Sequence, residues 1–491
     1  MSFDVSNLYS ATAEVFVAIM ILAIMLATAF ARDIARGLAY VLTQLTLIVA
    51  TFITFFTLEA TSDFAFSNMF VRDPPGGILK LMVYLSMMVA LLYGRGYLAD
   101  RKLDRPEYYL LALLTTLGMM VMITANHLLI LYVGLEMMSL ALYALVAFDR
   151  DTARSTEAGM KYFVLGALAS GLLLYGMSMI YGATGGSLEL SAVHQAVASK
   201  GVDKTVLLFG LVFLVAGISF KLGVAPFHMW VPDVYQGSPT AVTLILSSAP
   251  KLAAFALALR LLASALPELA GHWQSMLLFV AAMSIVLGNL AALIQHNIKR
   301  MLAYSGISHM GFMLMGLLSG GEASAAATGY SSAMFYAISY ALMTLAAFGM
   351  VVLLSREGFE AENIEDFKGL NRRNPWFALL MLFVMFSMAG IPFFVGFFAK
   401  FSVLQAVIQA GHFWIAVLAV TMSLIGAFYY LRVVKFMYFD EPVDNTPLNA
   451  SGELQVMLSL NGVAIALLGL MPGTLLKWCE GAMRAAFVVG G

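Results

Sequence analysis

The sequence predicts an all-α polytopic membrane protein of about fourteen transmembrane helices, built on inverted repeats of five helices with helices 7 and 12 broken. Three observations predict it. Hydrophobic residues make up 61% of the 491 residues and charged residues only 11%, with a mean hydropathy of +0.89, whereas a soluble domain carries roughly 25% charged residues. The apolar residues come in blocks of eighteen or more, and about 20 suffice to cross a hydrocarbon core. Charged side chains, mostly lysines, stand inside several of those blocks.

The blocks fall at 12–30, 39–58, 78–95, 107–124, 127–147, 158–182, 206–238, 240–263, 275–295, 300–318, 328–354, 375–408, 412–436 and 455–475. Each must be helical, because the water-free core leaves an open strand's backbone groups unpaired. The polar loops, 96–106, 148–157, 183–205, 355–374 and 437–454, are too short for a soluble domain. Residues 1–491 therefore read as one membrane domain. Met1 to Thr12 has no lysine or arginine, so the first block is expected to be a retained helix rather than a signal peptide.

Composition also excludes function classes. The formal net charge of −1 gives no basic balance for nucleic acid, and Cys479 is the single cysteine. One cysteine cannot form an internal disulfide, a cysteine-rich iron–sulfur site or a cysteine-type zinc site. There is no Walker loop, no Gly-x-Gly-x-x-Gly opening a βαβ unit and no His/Cys metal cluster. No cofactor or metal is expected in this chain.

Lysine and arginine placement predicts the orientation. With the N-terminus outside, the inner loops hold Arg32, Arg36, Arg95, Arg101, Lys102, Arg105, Arg150, Arg154, Lys299, Arg300, Arg356, Lys368, Arg372, Arg373, Arg432 and Lys435. The outer ends hold Arg72, Lys200, Lys204, Arg260, Lys477 and Arg484. That is roughly 16 against 6 by the positive-inside rule, and it places both termini on the side away from the cytoplasm.

Spans 7 and 12 are longer than one untilted helix needs. Each contains proline (Pro226 and Pro232, or Pro392) and one lysine, Lys221 or Lys400. Proline removes a backbone hydrogen bond, and a broken helix at membrane depth survives only where protein or water meets the freed groups. Ala216-Gly-Ile-Ser-Phe220 also matches Ala389-Gly-Ile-Pro-Phe393, five spans apart. An odd offset reverses direction across the membrane, which predicts inverted repeats at 107–263 (spans 4–8) and 275–436 (spans 9–13).

Six ionisable residues are candidates for proton transfer: Glu136 in span 5, Lys161 in span 6, Lys221 in span 7, Lys251 in span 8, His309 in span 10 and Lys400 in span 12. A charge at the bilayer centre costs about 2.5–3.5 kcal/mol on insertion scales, so such residues mark ion paths by default. Removal from water makes a lysine a readier proton donor, and a neighbouring carboxylate reverses that. The plainer alternatives are a static ion pair for Glu136, snorkelling for Lys161 and Lys80, static pairing for the other lysines, and a core hydrogen bond for His309. His228, at the break in span 7, is as readily structural as functional. His127, His272 and His296, at loop edges, receive no role.

The stretch from Lys221-Leu-Gly-Val-Ala-Pro-Phe-His-Met-Trp to Pro-Asp-Val-Tyr-Gln-Gly-Ser-Pro-Thr240, with Ser248-Ala-Pro-Lys251, resembles the antiporter-like subunits of respiratory complex I. Gln295-His-Asn-Ile-Lys-Arg-Met-Leu-Ala-Tyr-Ser-Gly-Ile-Ser-His309 and Gly390-Ile-Pro-Phe-Phe-Val-Gly-Phe-Phe-Ala-Lys400 fit the same family. The pattern is similar to the N-type subunits of bacterial NADH–quinone oxidoreductase. Lys400 stands where the M type has glutamate, and the chain is too short for the lateral helix of the L type.

The resemblance implies roles at matching positions. Glu136 and Lys161 would form a pair that gates the channel, Lys221 would be the lysine of the first broken helix near proton entry, Lys251 would link it onward, His309 would bridge the halves and Lys400 would stand near the exit. It also implies that NADH, FMN, iron–sulfur clusters and quinone bind to other subunits. The implied partners are an M-type antiporter-like subunit, small K- and J-type subunits and the lipid bilayer, and the implied location is the bacterial inner membrane. An Mrp-type cation/proton antiporter and a membrane-bound hydrogenase subunit remain as alternatives, with a static scaffold as a third.

Overall fold

The structure, a computed structural model, describes residues 5–30, 34–58, 62–199, 201–320, 323–442, 444, 446, 448 and 451–487, without the side chains of 5–6 and 323–326. Arg32 and Lys200 of the charge tally lie outside the described residues. In chain order the helices are α1 (Val5–Ser10), α2 (Thr12–Phe30), α3 (Ala35–Phe56), α4 (Pro74–Asp100), α5 (Pro106–Thr124), α6 (Leu128–Val146), α7 (Ala153–Ala183), α8 (Leu190–Ala198), α9 (Lys204–Leu222), α10 (Trp230–Gly237), α11 (Thr240–Ser247) and α12 (Ala249–Ala258). A π-helical stretch, Leu259–Ala265, carries α12 onward. Then come α13 (Ala270–Leu293), α14 (Ile298–Leu318), α15 (Ala323–Leu354), α16 (Leu370–Arg373), α17 (Pro375–Ala389), α18 (Val395–Gln409), α19 (Phe413–Phe439), α20 (Gly452–Leu470) and α21 (Pro472–Phe487).

Local sequence accounts for where these helices begin. Asp73 accepts the Gly76 amide and precedes Pro74-Pro75, so α4 starts with a capped first turn and no wasted N–H. Asp203 caps α9, Asn297 caps α14, and Asn374 caps α17 ahead of Pro375. Among the described residues, thirteen helical segments are long and apolar enough to cross a membrane, and the two shorter apolar helices α17 and α18 follow one another.

Three local expectations change. The polar loop 183–205 contains α8. A further helix, α21, follows the last apolar block, and its mixed faces explain why hydropathy alone passed over it. A two-stranded antiparallel hairpin, β1 (Asp63–Ala65) with β2 (Phe70–Arg72), sits in the loop before α4.

Burial grades from edge to centre. Over their apolar windows, the segment Thr240–Ala265 is 100% buried and α14 94%, whereas α2 is 28% buried. Ile19, Leu22, Trp414, Leu424 and Phe428 are exposed on the outer helices, as a lipid-facing surface requires. The loops collect on two opposite faces. On one, Arg101 meets Glu360 (2.5 Å), Arg154 meets Glu362 (2.6 Å) and Arg356 meets Asp444 (2.7 Å). On the other, Arg260 forms a bidentate pair with Asp73 (2.6 and 2.8 Å) and also donates to the Ile123 carbonyl.

Lys80 departs from its expected snorkelling position. It lies in the second turn of α4, 5% exposed, with its ammonium 2.9 Å from Glu14 of α2. A buried carboxylate one helix away holds it inside, which no local pattern around Lys80 signals.

Candidate functional site

The two expected helix breaks are present. Helix α9 stops at Leu222 because Gly223 turns left-handed (φ 74°, ψ 36°), and α17 stops at Ala389 because Gly390 does the same (φ 89°, ψ 35°). Glycine adopts that conformation without the Cβ penalty other residues meet. Each break frees carbonyls at membrane depth, and these need donors.

A lysine supplies one donor at each break. Lys251 of α12 donates to the Leu222 carbonyl (2.9 Å), and Lys400 of α18 donates to the Ala389 carbonyl (3.0 Å). In both cases the acceptor is the last helical residue before the left-handed glycine. Lys400 also donates to Ser423 Oγ (2.8 Å) and faces the Phe312 ring at 5.2 Å. Lys251 faces the Trp230 ring at 5.1 Å. Trp230 Nε1 in turn donates to the Phe220 carbonyl (3.0 Å), and the Ala225 amide donates to Ser284 Oγ (2.9 Å). The charges are therefore held by backbone dipoles and aromatic faces rather than by carboxylates.

The pentapeptide likeness read from the sequence does not coincide with this correspondence. Gly217 is inside α9, whereas Gly390 ends α17. The structural counterparts are Gly223 and Gly390, six residues off the apparent match.

Lys221 lies just before the first break, 8% exposed, and donates to Ser139 Oγ of α6 (2.9 Å). Ser139 is one turn from Glu136, so the carboxylate and Lys221 share one side of α6. Among the described residues Glu136 Oε1 is enclosed without a hydrogen-bond partner. Lys161 is elsewhere. Its side chain is 44% exposed, with its ammonium between Glu157 (2.8 Å) and Asp233 (2.9 Å), and Asp233 also holds Arg300 at 2.6 Å. Among the described residues no ion pair joins Lys161 to Glu136, so the expected Glu136–Lys161 contact is replaced by Glu136 beside Lys221 and Lys161 on Asp233.

His309 is 3% exposed and bonded at both ring nitrogens, Nδ1 to the Tyr336 hydroxyl (2.6 Å) and Nε2 to the Tyr430 hydroxyl (3.0 Å). The Tyr430 hydroxyl continues to Ser305 Oγ (2.5 Å). Phe312, which faces Lys400, stacks on Tyr336. His309 and Lys400 thus belong to one cluster, while Lys221 and Lys251 belong to another. Among the described residues no direct hydrogen bond joins the two clusters. Helix α13 stands between them, with Ser284 on the first break and Asn289 on Ser308 of α14 (2.8 Å).

Sequence reasoning missed Lys299 and Glu360. Lys299 counted as a loop cation, yet it is 2% exposed and donates to the Ser238 carbonyl (2.7 Å). Glu360 accepts from Tyr97, Arg101 and Thr240. Burial alone would raise the Glu360 carboxyl, but Lys299 and Arg101, with the hydroxyls, outweigh it and hold it below the ordinary glutamate value. A lysine in the first turn of an apolar block looks like an interface residue, and only the distant loop shows otherwise.

A bundle of membrane-length helices, two of them ended at a left-handed glycine and each of those breaks closed by a buried lysine, defines an ion-translocating class of membrane protein. The family described as NADH:quinone oxidoreductase/Mrp antiporter, transmembrane, matches residues 125–426, which include all six candidate residues. The chain belongs to this family. It is 68% identical over 489 residues to NADH-quinone oxidoreductase subunit N of Azoarcus sp. (strain BH72), covering 99% of each. Among solved structures, a chain of respiratory complex I from Thermus thermophilus is 33% identical, with a TM-score of 0.82 over 96% of this chain and 100% of that one. A chain of the Mrp complex from Dietzia sp. DQ12-45-1b shares the fold, with a TM-score of 0.83 at 21% identity over 97% of each.

Proposed function

We propose that this chain is the N-type proton-translocating membrane subunit of a bacterial NADH–quinone oxidoreductase, coupling quinone reduction elsewhere in the complex to proton movement through its buried charges. The observation that carries the reading is the pair of lysines, Lys251 and Lys400, seated on the last carbonyl before each helix break. A mobile ammonium on a backbone dipole can give up its proton and leave a neutral amine, whereas a lysine locked to a carboxylate is held charged. In this reading NADH, FMN, iron–sulfur clusters and quinone belong to other subunits. The neighbours are the M-type subunit, the K- and J-type subunits and lipid.

The α17–α18 pair counts as one interrupted crossing, which with the thirteen long ones makes fourteen; an even number keeps both termini on one side, and the lysine and arginine distribution makes that side periplasmic. Residues 107–263 and 275–436 are the two inverted repeats. Support comes from matched close packing of the first two helices of each. A Cβ on Gly118 or Gly134 would meet the facing backbone of α6 or α5 at 2.4–2.6 Å, and one on Gly288 would meet Ser308 N of α14 at 2.7 Å. Protons enter from the cytoplasm and pass along Lys221, Lys251 and His309 to Lys400, while Glu136 biases Lys221, and Lys161 answers to Asp233.

Deleting the gene tests the assignment. Loss of NADH-driven quinone reduction supports it. Unchanged respiration with salt sensitivity would point instead to an Mrp-type antiporter, and unchanged respiration with lost hydrogen evolution to a membrane-bound hydrogenase subunit.

A further inference from the structure

Helix α11 is buried on every side, yet it carries hydroxyls at regular intervals. Thr240, Thr243 and Ser247, at spacings of three and four residues, share one face of α11, and Lys251 follows in the first turn of α12, beyond a non-helical Ser248 (φ −113°, ψ −89°). The contacts agree. Thr243 Oγ1 bonds to Ser238 Oγ (2.9 Å) and to the Tyr235 carbonyl (3.2 Å), and Lys251 bonds to the Leu222 carbonyl, so both face the broken helix α9–α10. From Thr240 to Ser247 the rise is about 10 Å at 1.5 Å per residue, and Lys251 continues it from the start of α12. The stripe therefore runs from a loop face to the middle of the bundle.

Its outer end meets a built polar site. Thr240 donates its hydroxyl to Glu360, and its amide donates to the Tyr97 hydroxyl (3.1 Å). Tyr97 donates to both Glu360 oxygens (3.0 and 3.1 Å), and Arg101 adds an ion pair at 2.5 Å. The Glu360 loop is tied to the start of α14 through an Asn297–Asn363 bridge and an Ile298 amide bond to the Glu362 carbonyl (2.6 Å). This fixes Glu360 in the same site as Lys299. A 230 Å³ cavity lined by Tyr97, Arg101, Arg154, Ser238, Lys299 and Glu360 opens this site to one face. The Arg154–Glu362 pair stands at its rim.

We propose that Glu360 is the proton-accepting residue of an inlet that runs from this cavity along Thr240, Thr243 and Ser247 to Lys251, with Arg101 holding the carboxylate in place between uptakes. The inference rests on the proton-translocation reading above, and the face is cytoplasmic on the charge distribution used there. Each uptake transfers one proton from bulk water to the Glu360 carboxylate and onward by hydroxyls and intervening water to the neutral Lys251 amine, with no electron moved. The helix-turn interval of about 5.4 Å between hydroxyls is a gap one water molecule bridges.

The test uses the assembled complex in proteoliposomes, reading protons moved per NADH and the pH profile of turnover for Glu360→Gln, Glu360→Asp and Lys251→Met. The expected result is a loss of about 10²-fold in proton uptake through this chain for Glu360→Gln, with turnover failing at lower pH than in the unsubstituted complex and recovered in Glu360→Asp. Full protons per NADH and an unshifted profile in Glu360→Gln, with Lys251→Met inactive, would overturn the inlet alone. Full pumping in Lys251→Met would overturn the reading beneath it. If Glu360→Gln does not assemble, Thr243→Val with Ser247→Ala leaves the Glu360 contacts intact. A matching loss then supports the inlet, and unchanged pumping overturns it.

Discussion

Replacing Lys251 by methionine removes an ionisable group while keeping an unbranched chain of similar length. In the structure the ammonium makes one hydrogen bond, to the Leu222 carbonyl, under the Trp230 ring. Losing that donor leaves a buried carbonyl unsatisfied at a cost of about 1–3 kcal/mol. Against this, the membrane no longer holds a central charge, a relief of about 2.5–3.5 kcal/mol on insertion scales. The two nearly cancel, so the variant is expected to fold and assemble. Function is another matter, since a positioned acid–base group contributes about 10²–10⁴-fold to proton transfer. Transfer through this chain should fall at least 100-fold. The assay is NADH-driven proton uptake by proteoliposomes, with assembly checked on a native gel. Lys251→Arg is the companion: a guanidinium stays charged and can still donate to Leu222, but it does not release its proton, so pumping should also fall. Assembled complexes with full protons per NADH in both variants would refute the reasoning.

Other outcomes follow from single contacts. Gly223→Ala should destabilise by about 1–2 kcal/mol for the left-handed backbone alone, and more because its Cβ would meet Val231 at 2.6 Å; thermal unfolding of the solubilised complex reads this. Lys80→Met leaves Glu14 as a buried unpaired carboxylate and should cost about 3–5 kcal/mol in stability, while Lys80→Met with Glu14→Gln should recover most of the assembly yield. Lys161→Ala, at an exposed pair, should change stability by no more than about 1 kcal/mol and lower pumping less than Lys251→Met does. The Glu360 loop should loosen in acid. Its carboxyl is held below the ordinary glutamate value, so the stabilisation is present above that ordinary value and is lost as pH falls through the depressed one. Hydrogen exchange over 355–363, corrected for intrinsic rates, should rise with acidification.

Hydropathy and proline made most of the fold legible. Lengths and Pro226, Pro232 and Pro392 marked the two broken spans, because a membrane permits few ways to interrupt a helix. The lysines of the site were legible for the same reason: an intramembrane charge is costly enough to stand out. Pairings were not. Lys161 sits at the start of an apolar block, yet it faces outward to Asp233, and Glu136 is beside Lys221 instead. Rotation about a helix axis, not depth along it, decides such contacts, and a helix whose whole surface is apolar carries no moment to fix that rotation. Lys80, Lys299 and Glu360 were missed because their partners lie on remote segments: Glu14 is 66 residues from Lys80, and Glu360 is 120 from Thr240. The repeat reading rests on length and proline, and its five-residue match is out of register with the glycines that end the helices, Gly223 and Gly390.

The most direct test of proton translocation through this chain is the ratio of protons moved per NADH in assembled complexes carrying Lys221→Ala or Lys400→Ala. The two residues stand at the two breaks, in separate clusters, so one ratio probes both halves of the path. A reduced ratio in each variant, with normal assembly, is the predicted result. An unreduced ratio in both would contradict the account.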